Sequence, residues 1–106
     1  MVYFYPGMTD FQVYKVPFPA DMLSKASVSY AQEDEVMLIK DATEFEDVEG
    51  GSVFSIRLSQ EDTLRFKNNR DVYVQINLLS ADGARAPSSP IILKCGCQYD
   101  RRVLGE

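Results

Sequence analysis

The segment DVYVQINLLSADG constrains the fold of this chain more than any other part of it. Apolar side chains occupy every second position from Val72 to Leu78. This period is that of a β-strand with one buried face, because successive side chains of a strand point to opposite sides of a sheet. The Ala81-Asp82-Gly83 sequence that follows predicts a tight turn, since Asp and Gly tolerate a positive φ. The segment therefore predicts an antiparallel sheet.

Shorter segments with the same alternation recur along the chain, separated by turn signals. They predict strands at residues 9–16, 25–32, 36–40, 53–58, 71–80 and 91–97. Pro17 ends the first strand or confines it to a sheet edge, because proline cannot donate a hydrogen bond to a neighbouring strand. Ser59, followed by acidic residues, predicts a helix cap and a single helical turn that ends near Phe66. The residues expected in the core include Val28, Tyr30, Ile56, Val74, Ile76 and Leu93.

The number and spacing of these elements predict the fold class. A chain of 106 residues has room for a single domain; we place its core at residues 9–98 and expect a polar tail at residues 99–106. About six to eight short strands with one short helical turn, and no long segment of helical period, predict an all-β protein. Because each strand has one apolar face, an immunoglobulin-like antiparallel β-sandwich is favoured over a small barrel.

The net charge argues against two classes of partner. The chain has a formal charge of −5 and a pI near 4.7, and its Lys and Arg residues are scattered. Nucleic acids and anionic membranes are bound by clustered cations, so we expect neither as a partner. No apolar segment approaches the roughly 20 residues that cross a bilayer, and the N-terminal segment lacks the pattern of a signal peptide. We therefore expect the protein in the cytoplasm or in a particle assembled there.

The residue types that carry most catalysis and metal binding are scarce. The chain has no histidine, which removes Ser-His-Asp and Cys-His catalysis and the commonest metal ligand. Cys95 and Cys97 are the only cysteines, and a zinc site would need further ligands, which two half-sites in a dimer could supply. The alternative is a pair of free, buried thiols, which fits a reducing compartment. We predict no catalytic residue, no cofactor and no bound metal, and hence a protein that is not an enzyme.

The segment between residues 33 and 49 is strongly acidic. It holds half of the chain's 16 Asp and Glu residues. Calcium binds oxygen ligands at such a density, but the segment lacks the spacing of an EF-hand loop. We therefore expect a solvated acidic edge, which discourages the pairing of a sheet edge with other chains.

Aromatic residues crowd the N-terminus, where Tyr3, Phe4 and Tyr5 precede Pro6-Gly7. They could form an ordinary first strand at a sheet edge. They could also anchor the chain to a neighbouring subunit, because aromatic residues dominate the energetics of interfaces. We expect self-association or docking to use the chain ends, with these three residues as a candidate interface, and to leave the acidic loops in solvent.

One block of the sequence resembles a known family. LSQEDTLRF, followed by VYVQINLLSADGARAPSSPIILKC, is similar to small proteins encoded by phages and prophages of Firmicutes, which share an L-[ST]-Q-E-D-T-L-x-F turn, a strand with a central Gln and a D-G turn. The likeness extends over residues 9–98, and residues 58–83 carry its specific part. These proteins look similar to the N-terminal β-sandwich domain of phage baseplate upper proteins.

The resemblance implies a structural role in a virion or prophage particle, with no catalytic residues to carry over. It leads us to expect a non-enzymatic tail or baseplate component, or an adaptor, that contacts other virion components or itself, in the virion or the host cytoplasm. A general protein-binding or carbohydrate-binding β-sandwich module is the alternative. The cysteine pair, the PSSP loop at residues 87–90 and the Tyr-rich N-terminus depart from the family's pattern.

Overall fold

The structure, a computed structural model, describes residues 3–88 and 91–102. Within these residues the strands are β1 (Tyr3–Phe4), β2 (Asp10–Val16), β3 (Leu23–Gln32), β4 (Glu35–Ala42), β5 (Glu46–Val48), β6 (Gly51–Leu58), β7 (Val72–Ser80), β8 (Arg85–Pro87) and β9 (Ile91–Cys95). A 3-10 turn lies at Ala20–Met22 and a short helix, α1, at Gln60–Thr63. The prediction of an all-β fold is confirmed.

The strands form two sheets that share one core. The larger sheet has the order β1-β9-β7-β3-β4, with β8 also beside β7, and the smaller sheet has the order β2-β6-β5. Neighbouring strands are antiparallel except for β1 and β9, which run parallel. The result is a β-sandwich-like protein in which β1 and β9 lie side by side at one edge.

The core is filled by the side chains that the alternation predicts. On β7, every second residue from Val72 to Leu78 is buried. The buried apolar residues of the other segments are Val16, Ala26, Val28, Tyr30, Leu38, Phe54, Ile56, Leu58, Phe66 and Cys95. Of the predicted core residues, Leu93 alone is only partly buried. The hydroxyl groups of Tyr14 and Tyr30, 3.1 Å apart, join the two sheets by a hydrogen bond.

Two tight connections depend on unusual backbone angles. The β3–β4 hairpin turns at Glu33 and Asp34, whose φ angles are 50° and 64°. Paired positive φ values match the right-handed twist of the flanking strands, so two residues suffice to join them. At the start of β6, a Cβ atom on Gly51 would lie 1.9 Å from the carbonyl oxygen of Val16. Glycine is therefore required where the start of β6 passes the end of β2.

The segment between β6 and β7 forms the predicted capped turn. The Asp62 amide donates to Ser59 Oγ at 3.1 Å, and the Ser59 amide donates to Asp62 Oδ2 at 3.0 Å. This reciprocal capping box satisfies two donors that a helix start would otherwise leave without partners. Phe66 then enters the core, where its ring meets that of Tyr30 edge-on with centroids 6.1 Å apart.

The structure adds one finding that the alternation of β2 does not reveal. Phe11 and Val13 are each 64% exposed, whereas Val16 is buried. Tyr14 also faces the core, with its ring centroid 5.5 Å from that of Phe54. An alternating pattern fixes which residues share a face but not which of the two faces meets the core. On β2 the face that holds Tyr14 meets the core.

The end of the chain also differs from expectation in two details. β9 ends at Cys95 rather than at residue 97. Residues 99–102 belong to the predicted polar tail, but Arg101 holds this part of it in place. Arg101 donates to the carbonyl oxygens of Leu64 and Phe66, both at 2.7 Å, and the Gln98 amide donates to Asn68 Oδ1 at 3.1 Å. Residues 103–106 of the predicted tail lie outside the described residues.

Candidate interaction surface

The two cysteines lie at the end of β9 and just beyond it. Cys95 is buried, Cys97 is half-buried, and both are free thiols. The Cys95 thiol lies 3.3 Å from the carbonyl oxygen of Lys67 and can donate to it. Burial raises the pKa of Cys95, although the charge of Arg101 opposes the shift, so the thiol stays protonated at neutral pH. A protonated thiol is a poor nucleophile and a poor metal ligand.

Among the described residues, no three His, Cys, Asp or Glu side chains converge on a point that could hold a metal ion.

The acidic segment is spread along the surface rather than gathered into a site. Glu33 forms an ion pair with Arg70, and Asp41 lies 3.2 Å from the ammonium group of Lys25. Strand β5 is exposed throughout and forms one edge of the smaller sheet. A short, charged edge of this kind resists pairing with a strand of another chain.

The N-terminal aromatic residues lie at the outermost edge of the larger sheet. The backbone of Tyr3 and Phe4 forms β1, in register with Lys94 and Cys95 of β9. The side chain of Tyr5 is 43% exposed. This is the position of an ordinary first strand at a sheet edge. The role of Tyr3, Phe4 and Tyr5 as an interface stays a prediction.

The solvent side of the larger sheet carries an apolar row that crosses several strands, which we call the outer row. Strand pairing places its members in one line across β9, β7, β3 and β4: Ile92, Tyr73, Ala31 and Val36. Ile92 and Val36 are 55% and 57% exposed. Beside the row, an ion pair joins Lys94 to Asp71 at 3.2 Å. Neighbouring apolar side chains on an open face are typical of contact surfaces, whereas scattered ones are ordinary.

The solvent side of the smaller sheet is also partly apolar. Phe11 and Val13 lie on this side of β2, and the guanidinium group of Arg57 is 5.8 Å from the centroid of the Phe11 ring. Arg57 pairs with Phe11 across β6 and β2, so the contact follows from the register. This face therefore offers an aromatic ring with a cation over it.

A third surface lies where the core is not fully covered. Ile91 pairs with the buried Val74, which puts it on the core side of β9, yet it is 43% exposed. Ala86 pairs with the buried Leu78, which puts it on the core side of β8, and it too is exposed. A cavity of about 180 Å³ opens beside Ala86, lined mainly by Phe18, Met22, Leu23, Leu78 and Ala86. We call the exposed core-side residues of β8 and β9, together with this cavity, the open flank.

A wider groove lacks the features of a ligand site. It has a volume of about 500 Å³ and lies between residues 42–46 and 53–55. Small-molecule sites combine an apolar cavity with a few convergent polar groups. Here Phe45 packs against Phe54, with ring centroids 5.6 Å apart, and Glu44 and Glu46 are exposed. The three apolar surfaces are therefore better candidates than the groove.

Comparisons with known proteins identify no relative of this chain. No protein family matches its sequence, and no curated protein and no solved structure matches it. None of the helices among the described residues has the length and apolar character needed to span a membrane. What the fold itself defines is a small, two-sheet, all-β protein with apolar side chains on its open faces.

Sequence reasoning singled out the N-terminal segment as a candidate interface, which stays a prediction, and it missed the other surfaces. Val36, Tyr73 and Ile92 are far apart in the chain, and only the strand register brings them into one row. The residues of the open flank are exposed because the smaller sheet does not extend over them. No local sequence pattern predicts how far one sheet covers the other. The run of apolar residues at Ile91-Ile92-Leu93 was the one available signal, since a run without alternation leaves apolar side chains on both faces of a strand.

Proposed function

We propose that this chain is a non-enzymatic structural or adaptor protein that acts through protein–protein contacts. The observation that carries the proposal is the outer row, in which Ile92, Tyr73, Ala31 and Val36 lie in one line across four strands on the solvent side of the larger sheet. Full burial of a fully exposed large apolar side chain contributes about 1.5–3 kcal/mol, and Ile92, Tyr73 and Val36, which are about half exposed, would each contribute about half of that. A partner that covered the row would therefore gain free energy that offsets part of the cost of association.

We propose that the chain acts in a phage tail or baseplate. We also propose that its β-sandwich is of the immunoglobulin-like kind. The support for this is the resemblance of residues 58–83 to phage and prophage proteins of Firmicutes. These residues span the end of β6, the capped turn at α1, and β7. The resemblance therefore lies in β7 and in the turn that leads into it. The expected partners are other virion components or further copies of the chain.

Particles released from an induced host strain that carries the gene provide the test. We expect the chain to sediment with the tail proteins in a constant ratio through a density gradient. Recovery of the chain only among soluble proteins at the top of the gradient would contradict the particle role and would favour a general protein-binding or carbohydrate-binding module.

A matched pair of variants connects this test to the surface. Val36→Glu combined with Ile92→Glu places charges in the outer row, at two exposed positions where the fold should tolerate them. Thr43→Glu places one at an exposed position outside the row. We expect the double variant to be folded but missing from particles and Thr43→Glu to be incorporated. Equal incorporation of the two would show that the outer row is not the contact surface.

A further inference from the structure

We infer that the solvent side of the larger sheet carries a pocket for one carboxylate group, which an acidic side chain of the protein that covers the outer row supplies. The pocket lies where β8, β7 and β3 run side by side. The inference rests on the proposed role in protein–protein contacts and specifies the chemistry of the partner.

Strand register brings the residues of this site onto one face of the sheet. Leu79 of β7 pairs with Arg85 of β8 on one side and with Lys25 of β3 on the other. Asn77 of β7 pairs with Ser27 of β3. Since the alternate residues of β7 fill the core, these five side chains lie on the solvent side. A cavity of about 220 Å³ lies among them, and we call this site the anion pocket.

The first cation of the anion pocket, Arg85, is not neutralised within the described part of the chain. Its Nε atom donates to the side-chain oxygen of Asn77 at 3.1 Å, and it forms no ion pair with an Asp or Glu among residues 3–88 and 91–102. The acid nearest to it along the chain, Asp82, accepts hydrogen bonds from the Ser80 hydroxyl and the Ala84 amide within the β7–β8 turn. Asn77 therefore orients the guanidinium group without neutralising its charge.

The second cation, Lys25, lies on the other side of the anion pocket. Its ammonium group is 3.2 Å from the carboxylate of Asp41, so its charge is shared. Two cations and one carboxylate leave one net positive charge, although the chain as a whole has a formal charge of −5. A ligand with a single negative charge would balance the pocket.

The geometry of the donors favours a carboxylate among such ligands. A guanidinium group presents its N–H donors in a planar fork that matches the two oxygens of a carboxylate. The Ser27 hydroxyl and the NH2 group of Asn77 can donate to the same oxygens, and both residues are half-buried. Phosphate carries more negative charge at neutral pH, which one net positive charge compensates only in part.

The anion pocket lies on the same face as the outer row. Tyr73 of the outer row and Asn77 are on the same side of β7, and the separation along the strand is about 13 Å at roughly 3.3 Å per residue. A standard interface buries about 800 Å² on each partner, a patch roughly 30 Å across. One partner can therefore cover the outer row with apolar side chains and place an Asp or Glu in the anion pocket. Leu79, which is 38% exposed, extends the apolar contact to the pocket.

The probe for the anion pocket is acetate, exchanged for chloride at constant ionic strength and followed through the NMR resonances of the full chain. We expect saturable shifts at Ser27, Asn77 and Arg85, with half-saturation at roughly 1–50 mM, the range expected for so small a ligand. Inorganic phosphate should bind more weakly. The absence of saturable shifts at these residues, or tighter binding of phosphate, would overturn the inference.

Three substitutions at exposed positions distinguish the anion pocket from a general effect of charge. Arg85→Gln should weaken acetate binding by at least about tenfold, whereas Arg57→Gln, the matched control on the smaller sheet, should weaken it by less than about twofold. Asp41→Asn leaves the charge of Lys25 unshared and should tighten binding by about two- to threefold. Circular dichroism checks that the variants fold. Equal effects of the two arginine substitutions, or weaker binding in Asp41→Asn, would contradict the pocket.

Incorporation into particles tests the source of the carboxylate. We expect Arg85→Gln to be incorporated at least about threefold less than Arg57→Gln, because a charge in an interface loses its partner. Equal incorporation of the two, with acetate bound by the unaltered chain, would assign the pocket to a free small carboxylate and overturn the role of the partner protein. Absence of the unaltered chain from particles would overturn the proposed function and with it the protein source, whereas the acetate titration decides independently whether the pocket binds carboxylates.

Discussion

At the scale of single residues, a buried amide organises one end of the sandwich. Gln32 is 1% exposed, and its side-chain nitrogen donates to the carbonyl oxygens of Lys67 and Arg70, both at 3.1 Å. Its side-chain oxygen accepts from the Lys67 amide at 2.7 Å. A buried polar group is tolerated when its hydrogen bonds are made, and it then selects one arrangement of its partners. Gln32 therefore fixes the loop that leads from α1 into β7.

We expect Gln32→Leu to lower the free energy of unfolding by about 2–3 kcal/mol, because the Lys67 amide and the Arg70 carbonyl oxygen lose the hydrogen bonds that Gln32 makes, and the Lys67 carbonyl oxygen keeps only the one from the Cys95 thiol. Gln98→Leu is the matched control, since the hydrogen bonds that join Gln98 to Asn68 use the backbone of Gln98. It should change stability by less than about 0.5 kcal/mol. Urea unfolding monitored by circular dichroism measures both; a similar loss in the two variants would contradict the role of Gln32.

Asp62 gives the fold a dependence on pH. Its side chain is 15% exposed and lies 2.8 Å from the ammonium group of Lys40. Burial on its own would raise the pKa of Asp62, but the hydrogen bonds from Lys40 and Ser59 outweigh it and hold the pKa below the ordinary value of 3.8. Because the pKa of Asp62 is lower in the folded state than in the unfolded one, its ionised carboxylate stabilises the fold. This contribution to the free energy of unfolding is fully present above the unfolded pKa. It is lost as the pH falls through the folded pKa.

We expect Asp62→Asn to lower the free energy of unfolding at neutral pH by about 1–2 kcal/mol. The difference from the unaltered chain should shrink as the pH falls from about 5 to about 2, since both chains then lack the charge. In a Lys40→Met background the same substitution should cost less. A difference that stays constant with pH would show that the ion pair and the charged cap do not act as described.

At the scale of elements, the buried face of a strand was predicted correctly where an alternating pattern and a turn signal occur together. The strands around Val28, Ile56 and Ile76 were placed on the correct face because each has a clear period and is bounded by a turn. The exposed side of β2 was not predictable, since Phe11 and Tyr14 are both large apolar or amphipathic residues. The parallel pairing of β1 with β9 joins distant parts of the chain, and no local pattern encodes such a contact.

The two faces of β7 offer a direct test at this scale. Ile76 is 6% exposed and pairs with the buried Val28, whereas Gln75 is half-buried on the opposite face. Ile76→Ala should cost about 2–5 kcal/mol, because it leaves a cavity in the core, and Gln75→Ala less than about 1 kcal/mol. Urea midpoints in the reverse order would mean that the faces of β7 are assigned wrongly.

At the scale of the whole molecule, the two sheets are unequal in width. The larger sheet has five strands side by side, with β8 added beside β7, and the smaller sheet has three. A three-stranded sheet leaves part of a wider partner without cover, which accounts for the exposure of Ile91 and Ala86. The acidic residues of β5 lie at the edge of the smaller sheet away from β2. The acidic edge of the smaller sheet therefore lies on the side opposite β2.

The N-terminal edge gives a prediction about assembly. β1 forms the outer edge of the larger sheet, and aromatic residues are enriched at interfaces. We expect Tyr3→Ser combined with Phe4→Ser to reduce self-association measured by light scattering. Glu46→Gln combined with Asp47→Asn, on the exposed strand β5, should leave it unchanged. Equal masses for the first variant and the unaltered chain, at concentrations where the latter associates, would exclude this edge as the contact.

The parallel pairing of β1 with β9 also decides how the molecule responds to tension. A force that pulls the start of β1 away from the end of β9 draws the two strands in opposite directions along their common axis. The pairs Tyr3↔Lys94 and Phe4↔Cys95 are then loaded together in shear. In an antiparallel pair pulled from its two adjacent ends, the hydrogen bonds would instead break one after another. A load transmitted through the chain therefore meets a shear clamp at the edge of the larger sheet before it reaches the core.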